Sequence, residues 1–411
     1  MGYKQTRVGV IPEDWEVSIL GDHVAFRTGP FGSSLHKSDY VDGGIPVVNP
    51  MQIIKGKIEP TQSMAITEQA ARDLAYFRLS VGDVVIGRRG EMGRCAFVTQ
   101  REQGWLCGTG SMIVRPSTSI DGRFLQRVLS SPTVIAAIEN ASVGSTMINL
   151  NQATLGSLVF ALPNKAEQEA IAHALSDADA LTESTEQLIG KKRDFKQGAA
   201  QELLRPPKKA HVTKLKDVSS LKGRIGWQGL KQTEFTSNED QPFLITGMNF
   251  KDGAIRWNEV YHIPEERYEM AKDIQLKEGD VLMTKDGTIG KLLYIDQIPY
   301  PHKASLNSHL LLFRPVRESY LPKFLYYQLA SKRFKDHIEL SKSGTTFFGL
   351  SQAAVGNYEA FLPPLNEQIA IANVLSDMDA EIAALEAKLA KARMIKQGMM
   401  QNLLTGRIRL F

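Results

Sequence analysis

Apolar positions along this chain follow two rhythms. Through the first 160 or so residues they come in short runs, such as Ile45-Pro46-Val47-Val48, Asp83-Val84-Val85-Ile86 and Ser111-Met112-Ile113-Val114. Glycine-rich turns separate the runs, which predicts short strands. A stretch from Gly122 to Asn140 then places Phe124, Leu125, Val128, Leu129, Ile135 and Ile138 on one helical face. From Lys165 the composition shifts to Ala, Glu, Gln, Lys and Leu, which favours a long helix. Arg205-Pro206-Pro207 ends it and opens a linker. The same order then returns: a mixed block to Leu362, and a helix to about Leu404 that Thr405-Gly406 ends. Four segments follow: mixed domains over 1–163 and 207–363, and long helices over 164–206 and 364–411.

Both long helices carry a seam. In the first, Ala174, Ala178, Leu181, Thr185, Leu188, Lys192, Phe195 and Ala199 lie alternately four and three apart. In the second, Leu375, Met378, Ile382, Leu385, Leu389 and Ala392 do so. This spacing keeps one stripe facing a partner helix. A helix of about 40 residues is roughly 60 Å long at 1.5 Å per residue. The economical arrangement pairs the two antiparallel, with the mixed domains at opposite ends about an approximate two-fold axis. The alternative is that each helix packs only on its own domain.

The order returns because the sequence does. Leu162-Pro163, Glu167-Gln168, Ala170-Ile171-Ala172, Leu175-Ser176-Asp177, Asp179-Ala180 and Lys196-Gln197-Gly198 recur 200 residues later, as Leu362-Pro363, Glu367-Gln368, Ala370-Ile371-Ala372, Leu375-Ser376-Asp377, Asp379-Ala380 and Lys396-Gln397-Gly398. Such a period is a duplicated domain with its trailing helix, not a solenoid. Upstream the echo decays to Gly344-Thr345-Thr346 for Gly144-Ser145-Thr146, Arg314-Pro315 for Arg115-Pro116, and Gly279-Asp280-Val281 for Gly82-Asp83-Val84. Glycines, Gly-Asp turns and apolar strand positions are kept, and these set backbone shape. The polar surface between them differs. One skeleton with two faces points to two related but distinct ligands. The fold class is α+β.

Bulk properties narrow the class. The 411 residues, 43% hydrophobic, suffice for two or more cores. No apolar run approaches the length of a membrane span, and Met1-Gly2-Tyr3-Lys4 does not open a signal peptide, so a cytoplasmic protein is expected. The net charge of +4 permits a nucleic-acid partner without arguing for one. Cys95 and Cys107 occur only in the first copy and read as buried small hydrophobes.

The chain resembles the specificity subunits of type I restriction-modification enzymes. The resemblance is carried by Gly9-Val10-Ile11-Pro12-Glu13-Asp14-Trp15-Glu16-Val17, by Gly29-Pro30-Phe31-Gly32-Ser33-Ser34-Leu35 with Asp39-Tyr40, and by Gly82-Asp83-Val84-Val85-Ile86 with Arg88-Arg89-Gly90 and Gly93-Arg94. The Leu-Pro-x-x-x-Glu-Gln entry to each long helix, at Leu162 and Leu362, completes it. The second copy departs at Gly226-Trp227-Gln228-Gly229-Leu230, a loose parallel to the Gly-Pro-Phe-Gly-Ser segment. The resemblance implies two target-recognition domains, each reading one half of a bipartite double-stranded DNA site. It implies helices that set the spacing and dock two methyltransferase subunits. S-adenosylmethionine, ATP and Mg would belong to the methyltransferase and restriction/translocase subunits, with no cofactor on this chain. The helix entries then supply candidate partner contacts: Glu167, Gln168, Ile171, Leu175, Glu367, Gln368, Ile371 and Leu375.

The residues themselves point away from catalysis. There is no Asn/Asp-Pro-Pro-aromatic signature of an amino-methyltransferase and no Walker loop. No metal site is expected, because His302 and His309 lack ligand companions. Asp83 and Asp280 fit side-chain-capped turns. Candidate DNA contacts lie on loops where Arg or Lys can reach base edges. Arg88-Arg89-Gly90 with Arg94 is the foremost set in the first domain, and Lys285-Asp286-Gly287 with Lys291 is its counterpart. A solvated basic turn is the plain alternative. Ser145, Thr146, Thr345 and Thr346 could donate to phosphate or cap the next turn. Lys37, Lys55, Ser111, Lys303 and Ser308 are further candidates. The competing functional class is a two-headed protein-binding scaffold without DNA specificity. A stand-alone nuclease or methyltransferase lacks the residues.

Overall fold

A computed structural model describes residues 2–30, 34–141, 149–208, 210–224, 229–251, 253–341 and 349–410. The chain divides into two compact units, Met1–Glu186 with Ala387–Phe411, and Gln187–Glu386. The two long helices, Lys165–Leu203 and Leu365–Leu403, each contribute one part to each unit.

In the first unit the central sheet runs Cys95–Phe97, Val84–Gly87, Ser111–Pro116, Val24–Thr28, antiparallel throughout. Its inner strand Val84–Gly87 reads as an unbroken apolar run because both of its faces are covered. The pleat sends alternate residues to opposite sides. Val84, Ile86, Met112 and Val114 join one core with Trp15, Phe124, Leu129, Ile171, Leu175 and Leu403. Val85, Ala96 and Ile113 join another with Val48, Ile53, Ile58 and Cys107. Helices cover the first face, and small strands including Ile45–Val48 and Leu106–Cys107, paired in parallel, belong to a second sheet. The expected helix Gly122 to Asn140 is two: Gly122–Leu129 and Pro132–Ala141. The break falls at Ser130-Ser131-Pro132, since Pro132 lacks the amide that would continue the ladder and suits a first turn instead.

The second unit repeats this plan. Its sheet runs Leu292–Tyr294, Val281–Thr284, Leu310–Pro315, Ser219–Lys222. Val281, Met283, Leu311 and Phe313 face one core, and Leu282, Leu293, Leu310 and Leu312 the other. Phe243–Ile245 pairs in parallel with Ala304–Leu306. In each unit a Gly-Asp turn anchors the sheet. Asp83 accepts the Ser80 amide at 2.8 Å and a fork of two Arg115 N–H groups, both at 2.7 Å. Asp280 accepts the Lys277 amide at 2.7 Å and the Arg314 fork at 2.7 and 2.6 Å.

Within each unit the helix segments run antiparallel. Lys396 pairs with Asp179, and Arg393 with Glu186 at 2.6 Å, in the first. Lys196 pairs with Asp379, and Arg193 with Glu386 at 2.5 Å, in the second. The seam of Leu365–Leu403 matches the expected one: Leu375, Ile382 and Leu389 are buried, and Met378, Leu385 and Ala392 half-buried. The seam of Lys165–Leu203 is corrected. Ala178, Thr185, Lys192 and Ala199 lie inward, but Leu181, Leu188 and Phe195 are 48%, 41% and 66% exposed. Their places are taken one residue later by Thr182, Ile189 and Lys196. An apolar count misses this because the seam uses a threonine and a lysine whose ammonium is ion-paired.

The helix entries are a second correction. Gln168 accepts the Asp121 amide at 2.7 Å and donates to the Pro163 and Ser119 carbonyls. Gln368 accepts the Leu321 amide at 2.8 Å and donates to the Pro363 carbonyl. Ile171, Leu175, Ile371 and Leu375 are core residues of their own units. Glu167 is buried, accepting from Trp15 Nε1 at 3.0 Å and from the Arg409 guanidinium, which also forks onto Asp14. These seven residues are buried and join helix to domain within their own units. Glu367 is the exposed exception.

Candidate nucleic-acid interface

The basic turn of the first unit leaves the C-terminal end of Val84–Gly87, an inner strand of the central sheet. Where Val84–Gly87 ends, the Arg88 amide donates to the Gly110 carbonyl at 2.9 Å, and the Arg88 carbonyl accepts the Leu150 amide at 2.9 Å. The Gly108 amide donates to the Val48 carbonyl at 2.9 Å. Four chain segments therefore meet at Arg88: the turn itself, the 108–110 loop, the turn after Ile45–Val48, and the segment at Leu150. Asn49 Oδ1 closes the junction by accepting the Gly110 amide at 3.2 Å. A Cβ on Gly108 would lie 2.3 Å from Asn49 Oδ1, so Asn49 would have to shift and disturb its bond to the Gly110 amide.

On this frame Arg88 is half-buried, and its Nε donates to the Leu150 carbonyl at 2.9 Å. Burial and then the adjacent Arg89 lower the Arg88 pKa. Arg89 and Gly90 are exposed. Arg94 is half-buried, donating to the Pro50 carbonyl at 3.3 Å and pairing with Glu91 at 2.5 Å.

The second unit builds the same junction. The Lys285 amide donates to the His309 carbonyl at 2.9 Å, the Leu350 amide to the Lys285 carbonyl at 2.8 Å, and the Asn307 amide to the Ile245 carbonyl at 3.0 Å. Its side chains differ. Asp286 stands where the first unit has Arg89; its Oδ2 lies 3.2 Å from His309 Nδ1 and 3.8 Å from Lys285 Nζ. Lys291 is exposed and Ser308 half-buried. The first junction thus offers Arg88, Arg89 and Arg94, the last paired with Glu91, and the second sets a carboxylate, Asp286, where the first has Arg89.

The remaining candidates scatter. Ser111 is fully buried in its strand, so it is withdrawn as a contact. Lys55 pairs with Glu186 at 2.7 Å, beside Lys57 paired with Glu183 at 2.5 Å, so this hairpin braces the domain on its helix segment. Lys303 pairs with Glu265 at 2.6 Å. Lys37 is exposed on the short turn Lys37–Asp39. Ser145, Thr146, Thr345 and Thr346 lie outside the described residues. Sequence reading missed the Asn49 turn and its counterpart at Thr246. Their signal was the polar residue closing each apolar run, Val47-Val48-Asn49 and Leu244-Ile245-Thr246.

Cys95 and Cys107 are buried and unpaired, as expected, and burial pushes the Cys95 thiol up to about 12. Among the described residues no group of three His, Cys, Asp or Glu side chains is placed to hold a metal ion, and no helix is long and apolar enough to cross a membrane.

Comparison with known proteins matches the chain to a family. The type I restriction modification DNA specificity domain matches twice, over residues 12–191 and 207–393. The type I restriction enzyme MjaVIII specificity subunit of Methanocaldococcus jannaschii is 23% identical over 422 residues, covering 97% of this chain and 94% of that protein. The EcoKI specificity subunit of Escherichia coli K12 is 21% identical over 426 residues, covering 96% and 89%. Among solved structures, the S subunit of a type I restriction-modification system from M. genitalium superposes with a TM-score of 0.61 at 17% identity, over 98% of each chain. A chain from a study of complex assembly and conformational transition of the type I R-M system gives 0.55 at 17% identity, over 97% of this chain and 99% of that one.

Proposed function

This chain belongs to the type I restriction modification DNA specificity family, and we propose that it is the sequence-recognition subunit of such a complex. Each unit reads one half of a bipartite DNA site. The chain itself performs no catalysis. The observation that carries the reading is the duplicated junction, in which one main-chain hydrogen-bond pattern presents different polar side chains in the two units. Donors at Arg88, Arg89 and Arg94 suit guanine O6 and N7. Asp286 can accept from a cytosine amino group, with Lys285 and Lys291 beside it for guanine or phosphate. The long helices set the spacing between half-sites and dock two methyltransferase subunits. The exposed Leu181, Leu188 and Phe195 and the exposed Glu367 are the surface offered for that docking. The methyltransferase supplies S-adenosylmethionine and flips an adenine out of each half-site. A further subunit supplies ATP-driven translocation and cleavage. The complex works in the cytoplasm, where the DNA is.

The test is co-expression with a type I methyltransferase subunit, followed by sequencing of methylated adenines. A single bipartite motif with a fixed spacer is expected. A purified complex whose affinity is the same for every DNA sequence would refute the reading.

A further inference from the structure

The turn that closes each junction carries one more feature. In the first unit it reads Asn49-Pro50-Met51-Gln52, and in the second Thr246-Gly247-Met248-Asn249. Both are one-turn 3-10 helices with the same reciprocal cap, Asn49 with Gln52 and Thr246 with Asn249. Met51 is 78% exposed and Met248 76%. A single exposed apolar side chain needs no explanation. This pair is different, because the surfaces of the two domains have otherwise diverged. The neighbouring exposed Ile54 is matched by Lys251, and Tyr76 by Asp273. Among the described residues of the two mixed domains, these methionines are the large apolar side chains exposed at matching positions.

Their placement is equally specific. Pro50 packs against Gly87 and Gly110, where an added Cβ would lie 3.1 and 2.9 Å from its ring atoms, and its carbonyl accepts from Arg94. Gly247 lies against Thr284, the counterpart of Gly87. Each methionine therefore follows directly on the residue that touches the strand end leading into Arg88 or Lys285. Charged donors and one bare, flexible thioether stand together in both units. In the major groove the partner of a hydrogen-bond donor is a base edge, and the one apolar feature is the thymine C5-methyl group. Methionine is unbranched and polarizable, so it adapts to such a surface.

We propose that Met51 and Met248 are base-contacting specificity residues, one per half-site, each packing on a thymine methyl group. The proposal rests on the DNA-reading function above. The experiment uses the intact complex with its methyltransferase and synthetic duplexes of its mapped site. Each thymine of either strand is replaced in turn by uracil, which removes the methyl group alone. One position in each half-site should weaken binding about fourfold, the worth of one buried methyl group. Met51→Ala should remove that penalty in the half-site read by the first unit, and Met248→Ala in the other. Both variants should melt as the parent does, because the side chains are exposed. A complex that prefers its bipartite site, yet tolerates uracil everywhere or keeps the penalty in both variants, overturns this proposal and leaves the recognition function standing. A parent complex without site preference overturns the recognition function itself.

Discussion

Arg88 and Arg89 are adjacent, yet their surroundings predict different consequences for the same substitution. Arg89 is exposed on the turn, so Arg89→Ala should leave folding stability within about 0.5 kcal/mol. Loss of a bidentate bond to guanine removes about 1–3 kcal/mol of discrimination, or roughly fivefold to 150-fold. Arg88 is half-buried, and its Nε holds the Leu150 carbonyl at 2.9 Å. A hydrogen bond from a charged donor is worth about 1.5–3 kcal/mol, and partial exposure places this one near the lower figure. Arg88→Ala should therefore lower the melting temperature of the first unit by about 3–6 °C, given about 2–4 °C per kcal/mol for a unit of this size. Three measurements on the methyltransferase complex separate the roles: thermal melting, methylation mapping, and DNA titration at several salt concentrations. Arg89→Ala should relax one position of one half-site at unchanged melting temperature. If both half-sites weaken equally and only the salt slope changes, Arg89 touches phosphate and the base-reading argument fails.

Other consequences follow from the same geometry. Asp286→Ala removes the acceptor of the second junction, so methylation mapping should show relaxed choice at one position of the second half-site while the first is unchanged; relaxation in the first half instead would refute the assignment. Asp83→Ala leaves the Arg115 guanidinium without its fork. It should destabilise the first unit by about 2–3 kcal/mol in denaturant titration, less than for a fully buried pair because Arg115 is partly in solvent. Cys95, buried and pushed up to about 12, should resist thiol alkylation through pH 9 in the folded protein and react once unfolded; mass spectrometry showing modification of the native protein would contradict that burial.

The strand runs were legible because a sheet covered on both faces needs unbroken apolar segments, as in Val84-Val85-Ile86. The second long helix was legible because its seam is apolar at Leu375, Ile382 and Leu389. The first misled because Leu181, Leu188 and Phe195 keep heptad spacing while facing solvent. The inward positions Thr182 and Lys196 are polar, and only a partner helix reveals that Lys196 meets Asp379. The Glu-Gln helix entries recur in sequence, but recurrence cannot tell an internal joint from a docking surface. In the fold, Gln168 and Gln368 serve as joints, through backbone partners 47 residues away in the chain. Basic turns at Arg88 and Lys285 were found from composition. The methionine turns were not, since nothing in a single sequence separates an exposed methionine from a buried one.

Why one backbone can support two specificities follows from which atoms hold the junction. The bonds from Arg88 to Gly110, from Leu150 to Arg88 and from Gly108 to Val48 run between main-chain atoms, and so do their counterparts at Lys285, Leu350 and Asn307. A main-chain bond does not depend on the side chain it carries. Arg89 can therefore become Asp286, and Gly110 become His309, without disturbing the frame that positions them. The residues that cannot vary freely are those filling space beneath it, such as Gly108 against Asn49, and those anchoring the sheet, such as Asp83 with Arg115. The frame is thus held mostly by main-chain atoms, which leaves most outward side chains free to differ. On the proposed reading, each unit would change the base edge it meets by a few outward substitutions, at a cost in stability set by bonds such as that of Arg88 Nε to the Leu150 carbonyl.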